Sequence, residues 1–164
     1  MDTIPTPRLI LRPLERGDLR PLHRLYRDPE LMRYITGKPR TLQETVDKLE
    51  VHLQDYERYG FGLYATILRE SGKMVGRAGL VPTPGEQGLE AELAWLVRQD
   101  QQGKGLAFEM GAALVDHAFS RLTVSRLFAR AYVENEPSIR VMEKLGMHHV
   151  LTADGEVLYE LKPH

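Results

Sequence analysis

The chain has no cysteine among its 164 residues. This absence excludes disulfides, thiolate metal sites and a cysteine nucleophile. The histidines do not replace them, because no two stand at a His-x-x-x-His spacing and His148 and His149 are direct neighbours. Neighbouring side chains in a strand point to opposite faces, so this pair cannot share a metal ion. We therefore expect no metal cofactor.

Long apolar runs and a strong charge of one sign are also missing. The formal net charge is −1, which gives no long-range field favouring nucleic acid or an anionic membrane. No apolar run is long enough to span a bilayer, and the first residues lack the layout of a secretory signal. The sequence predicts a cytoplasmic, single-domain protein over residues 1–164, without nucleic-acid or membrane partners.

Periodic apolar positions predict amphipathic helices. The clearest follows Thr41, which opens a capping box, and carries Leu42, Val46, Leu49, Leu53 and Tyr56 on one face. Its end is expected near Gly60. The predicted helices cover residues 19–27, 30–34, 42–60, 106–119 and 137–145.

Strands are predicted between the helices and at the C-terminus, with residues 82–88 as a loop. Asp154-Gly155 is a favoured two-residue hairpin turn. Together these elements predict an α/β (α+β) fold with one mixed, mostly antiparallel central sheet, helices on both faces, and parallel pairing around the two late helices. The predicted strands cover residues 8–14, 61–69, 74–81, 89–98, 126–133, 147–153 and 156–162.

A glycine-containing turn joins the strand at 89–98 to the helix at 106–119. Gly103 and Gly105 lack a Cβ, so the backbone can turn sharply there. The first turn of the following helix carries free N–H donors and the positive end of the helix dipole. These features predict a site for a phosphate or pyrophosphate, held by the main chain of Gln102, Gly103, Lys104, Gly105, Leu106 and Ala107. A turn without a ligand is the alternative.

Several segments together resemble the GNAT superfamily of acetyl-CoA-dependent N-acetyltransferases. The closest branch is the RimJ/RimL-like ribosomal-protein N-terminal acetyltransferases. Residues 102–107 are similar to the pyrophosphate motif of the family, Gln/Arg-x-x-Gly-x-Gly/Ala, and Glu109 fits the opening of the branch's helix. The other similar segments are Thr6–Leu14, Asp28–Tyr34 and Asn135–Met147. The resemblance implies acetyl-CoA as cosubstrate and coenzyme A binding.

The resemblance also implies a place for the pantetheine arm. Family members splay two strands with a bulge near the acyl-CoA site, so a main-chain amide near Leu96 or Val97 would bind the thioester carbonyl. Asn135 offers donors and an acceptor for the pantetheine amides, or else caps the following helix. Arg140 could meet a coenzyme A phosphate, or form part of an exposed cationic helix face with Lys144.

Two residues are candidates for proton transfer. Glu92 lies on the strand before the glycine turn and is our candidate general base, with a solvated strand edge as the alternative. Many superfamily members place a tyrosine in the late helix as general acid, but the resemblance places Met142 there in this sequence. Ser138 is the alternative acid, and water is another. Without a cysteine, direct transfer in a ternary complex is expected.

The acceptor is predicted to bind between the early helices and the final hairpin. Tyr34, Ile35, Thr36 and Gly37 are the expected wall, next to Pro39. The partner is a small-molecule amine or a peptide N-terminus, and an exposed sheet edge leaves room for a homodimer. The competing hypothesis is a non-catalytic acyl-CoA-binding module of the same fold. A phosphate-loop nucleotidase is disfavoured, because Leu106 stands where that motif needs serine or threonine.

Overall fold

The computed structural model describes residues 1–85 and 88–164. Its centre is an eight-stranded sheet in the order β1-β2-β3-β4-β5-β6-β8-β7. All neighbouring strands are antiparallel except β5 and β6. The strands are β1 Ile4–Pro5, β2 Leu9–Pro13, β3 Leu63–Leu68, β4 Met74–Gly85, β5 Gly88–Val97, β6 Arg126–Tyr132, β7 His148–Ala153 and β8 Glu156–Leu161. The predicted fold class is confirmed.

Residues 1–85 and 88–164 contain five α-helices, and local signals explain the ends of several of them. Thr41 and Glu44 form the expected capping box, and Gly60 ends that helix in the left-handed region at φ 77°. Gly146, at φ 86°, follows the last helix in the same conformation. The helices are α1 Leu19–Tyr26, α2 Pro29–Met32, α3 Leu42–Tyr59, α4 Leu106–Ser120 and α5 Glu136–Lys144.

The hydrophobic core has two parts, one on each face of the sheet. Helices α1, α2 and α3 pack on one face, where Leu22, Leu49 and Leu96 are buried. Helices α4 and α5 pack on the other, where Met110, Leu114 and Met142 are buried. Alternate residues of β5 contribute to opposite sides, as the period of two in a strand requires.

The sheet separates in its middle. The parallel ladder between β5 and β6 contains only the pairs Glu90↔Arg126, Ala91↔Leu127 and Glu92↔Phe128. Beyond these pairs β5 continues to Val97 and β6 continues to Tyr132 without pairing to each other. The expected splay is therefore present. The expected bulge is not found in the described β4–β5 ladder, whose register runs without a shift from Gly76↔Val97 to Gly85↔Gly88.

Three other expectations require correction. Strand β8 lies between β6 and β7, so the second late helix is not flanked by a parallel pair. Residues 82–85 extend β4 rather than forming a loop, because their backbone pairs with β5; residues 86 and 87 of that predicted loop lie outside the described part. The inward face of α3 is also rotated, since Leu42 is 51% exposed while Thr45 and His52 are buried.

Candidate active site

A cavity of about 390 Å³ lies at the opening between β5 and β6. It extends toward the face of the sheet that carries α1 to α3. The structure brings several predicted site residues together in its lining, on β5, on α5 and after α2. These are Tyr34, Ile35, Glu92, Asn135 and Ser138.

Glu92 projects into this cavity from the last residue pair of the parallel ladder. Its side chain keeps 30% of its exposure, and Arg130 Nη2 lies 3.8 Å from its Oε2. Burial raises the pKa of Glu92 above its ordinary value, and Arg130 opposes that rise only in part. A half-buried carboxylate with a raised pKa is a better proton acceptor than a solvated one. The solvated strand edge considered from the sequence does not describe this environment.

Glu90 lies on the same face of β5 but belongs to a different environment. Its Oε2 accepts a hydrogen bond from Arg126 Nη1 at 3.3 Å, and Arg126 Nε also pairs with Glu160 at 2.6 Å. This cluster joins β5, β6 and β8. Glu90 is therefore held in a structural ion pair next to the cavity, and only Glu92 of the two lines it.

The N-terminal end of α5 forms the opposite wall. Asn135 occupies the N-cap position of α5, yet its side chain makes no capping hydrogen bond. Its amide is thus free to face the cavity, which favours ligand contact over the capping alternative. Ser138 is half-buried in the first turn of α5, and Met142 is buried beneath it. The Arg140 side chain is 69% exposed, as the exposed-face alternative predicts, and its Nη1 lies 3.8 Å from Oε2 of Glu136 on the same helix.

Both glycines of the turn before α4 adopt the left-handed conformation. Gly103 and Gly105 have φ of 75° and 80°, a region that costs other residues roughly 1–2 kcal/mol. In the described chain, the N–H groups of Gly103, Lys104 and Gly105 have no hydrogen-bond acceptor. Leu106 and Ala107 open α4, where first-turn N–H groups have no partner within the helix.

Two of the predicted cofactor-binding residues have a different main-chain role. The N–H of Gln102 donates to Gln99 O at 3.2 Å, and its side-chain Nε2 donates to Val97 O at 2.9 Å. Gln102 therefore ties the turn to the end of β5 rather than offering its amide. Leu96 also needs correction, because Arg98 N–H bonds Val75 O on β4, and alternation directs the Leu96 backbone to β4 as well.

The same alternation identifies the backbone groups that face the opening. Odd-numbered residues of β5 direct their N–H and C=O toward β6, as the hydrogen bond from Ser125 N–H to Leu89 O illustrates. Trp95 and Val97 lie beyond the last pair of the parallel ladder, so their N–H groups point into the opening. Of the two predicted residues, Val97 has its N–H on this side. The N–H of Trp95 lies there as well and was not predicted, because the sequence does not show which residues of a strand direct their backbone groups to which neighbouring strand.

The wall expected for the acceptor is present in part. Tyr34 and Ile35 line the cavity, and the Tyr34 ring lies 6.1 Å from that of Tyr132 across the opening. Thr36 and Gly37 lie outside the lining. Glu156, at the start of β8, contributes the side nearest the final hairpin.

Several basic residues of the cavity were not anticipated from the sequence. Arg40 follows the α2 region, Lys48 lies on α3, and Arg77 and Arg130 lie on β4 and β6. They are far apart in sequence and share no motif, so only the tertiary structure brings them together.

No group of three or more His, Asp or Glu residues suited to a metal ion occurs within residues 1–85 and 88–164. None of the helices in those two ranges is both long and apolar enough to cross a membrane.

Comparison with known sequences supplies the family. The profile of the Acetyltransferase (GNAT) domain matches residues 8–148, which is most of the chain. The chain belongs to the GNAT acetyltransferase family. It is 30% identical to the spermidine N(1)-acetyltransferase of Escherichia coli K12 over 92% of this chain and 76% of that protein.

Solved GNAT structures agree with this fold. An acetyltransferase from Agrobacterium tumefaciens superimposes with a TM-score of 0.86 at 28% identity, covering 99% of this chain and 95% of that one. The ribosomal-protein alpha-N-acetyltransferase RimL, solved in complex with coenzyme A, superimposes with a TM-score of 0.84 over 98% of each chain. At 18% identity RimL supports the GNAT fold alone. The protein is a GNAT acetyltransferase, and the predicted family and enzyme class are confirmed.

Proposed function

We propose that this GNAT acetyltransferase moves an acetyl group from acetyl-CoA directly to a primary amine in a ternary complex. The observation that carries the proposal is the placement of two features at the two ends of the β5 segment that does not pair with β6: Glu92 stands at its start, and the glycine turn follows its end at Val97. Main-chain N–H groups suited to a diphosphate lie at Gly103 to Ala107, and a carboxylate with a raised pKa lies at Glu92. Relatives and structural neighbours with named substrates include ones that act on spermidine and on the alpha-amino group of a ribosomal protein, both of which present an amine.

The cosubstrate would be bound largely by main-chain groups. The positive end of α4 and the N–H groups of the turn would hold the diphosphate. The N–H groups of Trp95 and Val97 would face the extended pantetheine arm and the thioester oxygen, while Asn135 would bind a pantetheine amide. An N–H donor aligned on the developing oxyanion contributes about 2.7–4 kcal/mol in other enzymes.

The chemistry then needs one base and one acid. Glu92 would take a proton from the ammonium form of the acceptor, directly or through water. The neutral amine attacks the carbonyl carbon, a C–N bond forms, and the C–S bond breaks with its electron pair on sulfur. Ser138, on the opposite wall, lines the cavity from the first turn of α5. Its hydroxyl would pass a proton to the departing thiolate and would be restored by the second proton of the acylated nitrogen, relayed through water.

Thiol release from acetyl-CoA, followed against a panel of primary amines and short peptides, tests the proposal. Initial rates measured while both substrates vary should give intersecting lines in double-reciprocal plots, as expected for direct transfer. Parallel lines would indicate a covalent acetyl-enzyme and contradict the ternary complex. Calorimetry with acetyl-CoA is the companion measurement. Tight binding without turnover of any acceptor would favour the non-catalytic module, and no binding would contradict both hypotheses.

A further inference from the structure

One side of the cavity contains a buried arginine that pairs with no carboxylate in the described part of the chain. Arg77 is 5% exposed, and its Nε donates to the Tyr26 hydroxyl at 3.1 Å. Its Nη1 is buried and has no hydrogen-bond partner among the described residues. Arg77 nevertheless lines the cavity. A buried guanidinium with an unused donor is unfavourable unless something else supplies the acceptor.

A second arginine converges on the same tyrosine. The guanidinium carbon of Arg40 lies 4.4 Å from the centre of the Tyr26 ring, and that of Arg77 lies 5.7 Å from it. The Arg40 N–H donates to Tyr26 O at 2.7 Å, which fixes the chain beside the ring. Arg40 Nη1 is also buried and without a partner in the described part of the protein. Tyr26 itself is fully buried, so both guanidinium groups rest on a rigid support.

Other arginines of this protein are neutralised where they are partly buried. Arg12 makes two hydrogen bonds to Asp18, at 2.8 and 2.9 Å, and Arg126 pairs with Glu160 at 2.6 Å. The cavity differs, because its lining carries more cationic than acidic side chains. The cationic residues are Arg40, Lys48, Arg77 and Arg130, and the acidic ones are Glu92 and Glu156.

We propose that the acceptor carries a carboxylate as well as its amine, and that Arg77 and Arg40 bind this carboxylate while Glu92 receives the amine. This inference rests on the proposed function, because it assigns the substrate class of the same site. Planar guanidinium groups suit a carboxylate through paired N–H donors. A polyamine would instead bring a second cation toward the arginines.

The register of the sheet sets the separation of the two groups. Arg77 is paired with Leu96, whereas Glu92 lies four residues earlier on β5. At roughly 3.3 Å per residue the two backbone positions are about 13 Å apart along the strand. Long side chains bridge part of that distance. The amine and the carboxylate of the acceptor should therefore be separated by several bonds, as in an ω-amino acid or an acidic residue near a peptide N-terminus.

Three amines of matched chain length test the inference. Pentylamine, cadaverine and 5-aminopentanoate share the reacting amine and differ at the far end, which is neutral, cationic or anionic. We expect kcat/KM to be at least tenfold higher for 5-aminopentanoate than for the other two. Peptides Ser-Ala-Glu-Ala and Ser-Ala-Lys-Ala, amidated at the C-terminus, determine whether the carboxylate belongs to a small molecule or to a peptide side chain.

Two variants connect the preference to the arginines. Arg40→Gln and Arg77→Gln should each reduce the preference for 5-aminopentanoate over pentylamine at least fivefold, with little effect on acetyl-CoA KM. Arg16→Gln is the matched control, because it removes an arginine paired with Glu50 and 75% exposed, outside the cavity. Should Arg77→Gln fail to fold, Arg40→Gln alone decides, since Arg40 is only partly buried.

The outcomes separate the two proposals. Turnover of pentylamine or cadaverine at least as fast as 5-aminopentanoate, with the same ranking for the peptides, overturns the carboxylate inference and leaves the acetyltransferase proposal intact. A preference for the anionic acceptor that survives both arginine variants also overturns it. Absence of turnover for every amine and peptide, with acetyl-CoA still bound, contradicts the proposed transfer reaction itself.

Discussion

The Nε atom of Arg8 lies 2.8 Å from Oε1 of Glu109, an ion pair that joins the start of β2 to the first turn of α4. The other carboxylate oxygen of Glu109 accepts the N–H of Arg8 at 2.9 Å and the Thr6 hydroxyl at 2.6 Å. Arg8 Nη1 also donates to Lys104 O at 2.9 Å, inside the glycine turn. The N-terminal segment therefore holds the turn proposed to bind the diphosphate.

Loss of this support should weaken cosubstrate binding. Arg8→Ala frees the Lys104 carbonyl and leaves the turn more mobile, so we expect acetyl-CoA KM to rise by about threefold to tenfold, roughly 0.7–1.4 kcal/mol. The kcat value should change little, because no reacting group is touched. Arg16→Ala, which breaks the exposed pair with Glu50, is the control. An unchanged KM in Arg8→Ala would show that the turn keeps its shape unaided.

Glu92→Gln should abolish most of the activity without harming the fold. A glutamine cannot accept the ammonium proton, so kcat should fall by about 10²–10⁴-fold. Because burial raises the pKa of Glu92, the acidic limb of kcat/KM should lie above the ordinary carboxylate value of 4.5 and should vanish in the variant. The comparison variant is Glu90→Gln, on the same strand face but paired with Arg126. Equal losses in both would point to disruption of β5 rather than to proton transfer.

The same pKa determines the sign of the stability effect. The folded protein holds the Glu92 proton to higher pH than the unfolded chain does, so ionisation of Glu92 lowers the free energy of unfolding as pH rises. At neutral pH Glu92→Gln removes this destabilising ionisation. Thermal unfolding at pH 7 should give a melting temperature equal to or above that of the parent, while activity is lost.

Ser138→Ala tests the proposed acid. We expect kcat to fall by about 10²-fold with little change in acetyl-CoA KM, since the hydroxyl would act on the leaving thiolate and not on binding. Ser120→Ala, at the distant end of α4, serves as the reference because its hydroxyl bonds Asp116 O in its own helix. If kcat stays the same, water supplies the proton and Ser138 has no catalytic role.

His52 makes the fold sensitive to acid. It is 2% exposed, both of its ring nitrogens are buried without a partner in the described residues, and burial near Arg77, Lys48 and Arg40 lowers its pKa to about 3. Below pH 6.5 the unfolded chain binds a proton that the folded protein does not, so this stability is present above pH 6.5 and is lost as pH falls.

His52→Leu should remove that dependence. The free energy of unfolding of the parent should fall by up to about 1.4 kcal/mol per pH unit more steeply than that of the variant between pH 6.5 and the folded pKa. Urea unfolding at pH 7, 5.5 and 4.5 measures the difference. The exposed residue His148 provides the control as His148→Leu. Parallel curves for the parent and His52→Leu would mean that His52 becomes protonated within the folded protein.

Local signals predicted much of the fold because they act over a few residues. The capping box at Thr41 and the left-handed glycines at 60 and 146 placed helix ends correctly, and Asp154-Gly155 forms the expected turn with φ of 52° and 78°. The rotation of α3 was missed because apolar spacing counts Leu42 as inward. The structure instead buries Thr45 and His52, whose polar character gives no such signal.

Long-range contacts account for what the sequence could not reveal. The position of β8 between β6 and β7 depends on how the last hairpin docks, which its turn residues do not encode. Arg77 lies within the apolar strand β4, and its place beside the cavity depends on a contact with Tyr26, fifty-one positions away in α1. Glycine spacing predicted the turn before α4, whereas the basic side of the cavity required α3, β4, β6 and the segment after α2 to come together.

The short parallel ladder leaves the facing edges of β5 and β6 unpaired beyond Glu92 and Phe128. Only three residue pairs join the half of the sheet formed by β6, β8 and β7 to the half that ends at β5. An extended molecule bound between the two strands would accept the unpaired backbone hydrogen bonds of Trp95 and Val97. The substrate would then stabilise the sheet as well as react, and the substrate complex would be more rigid than the free protein.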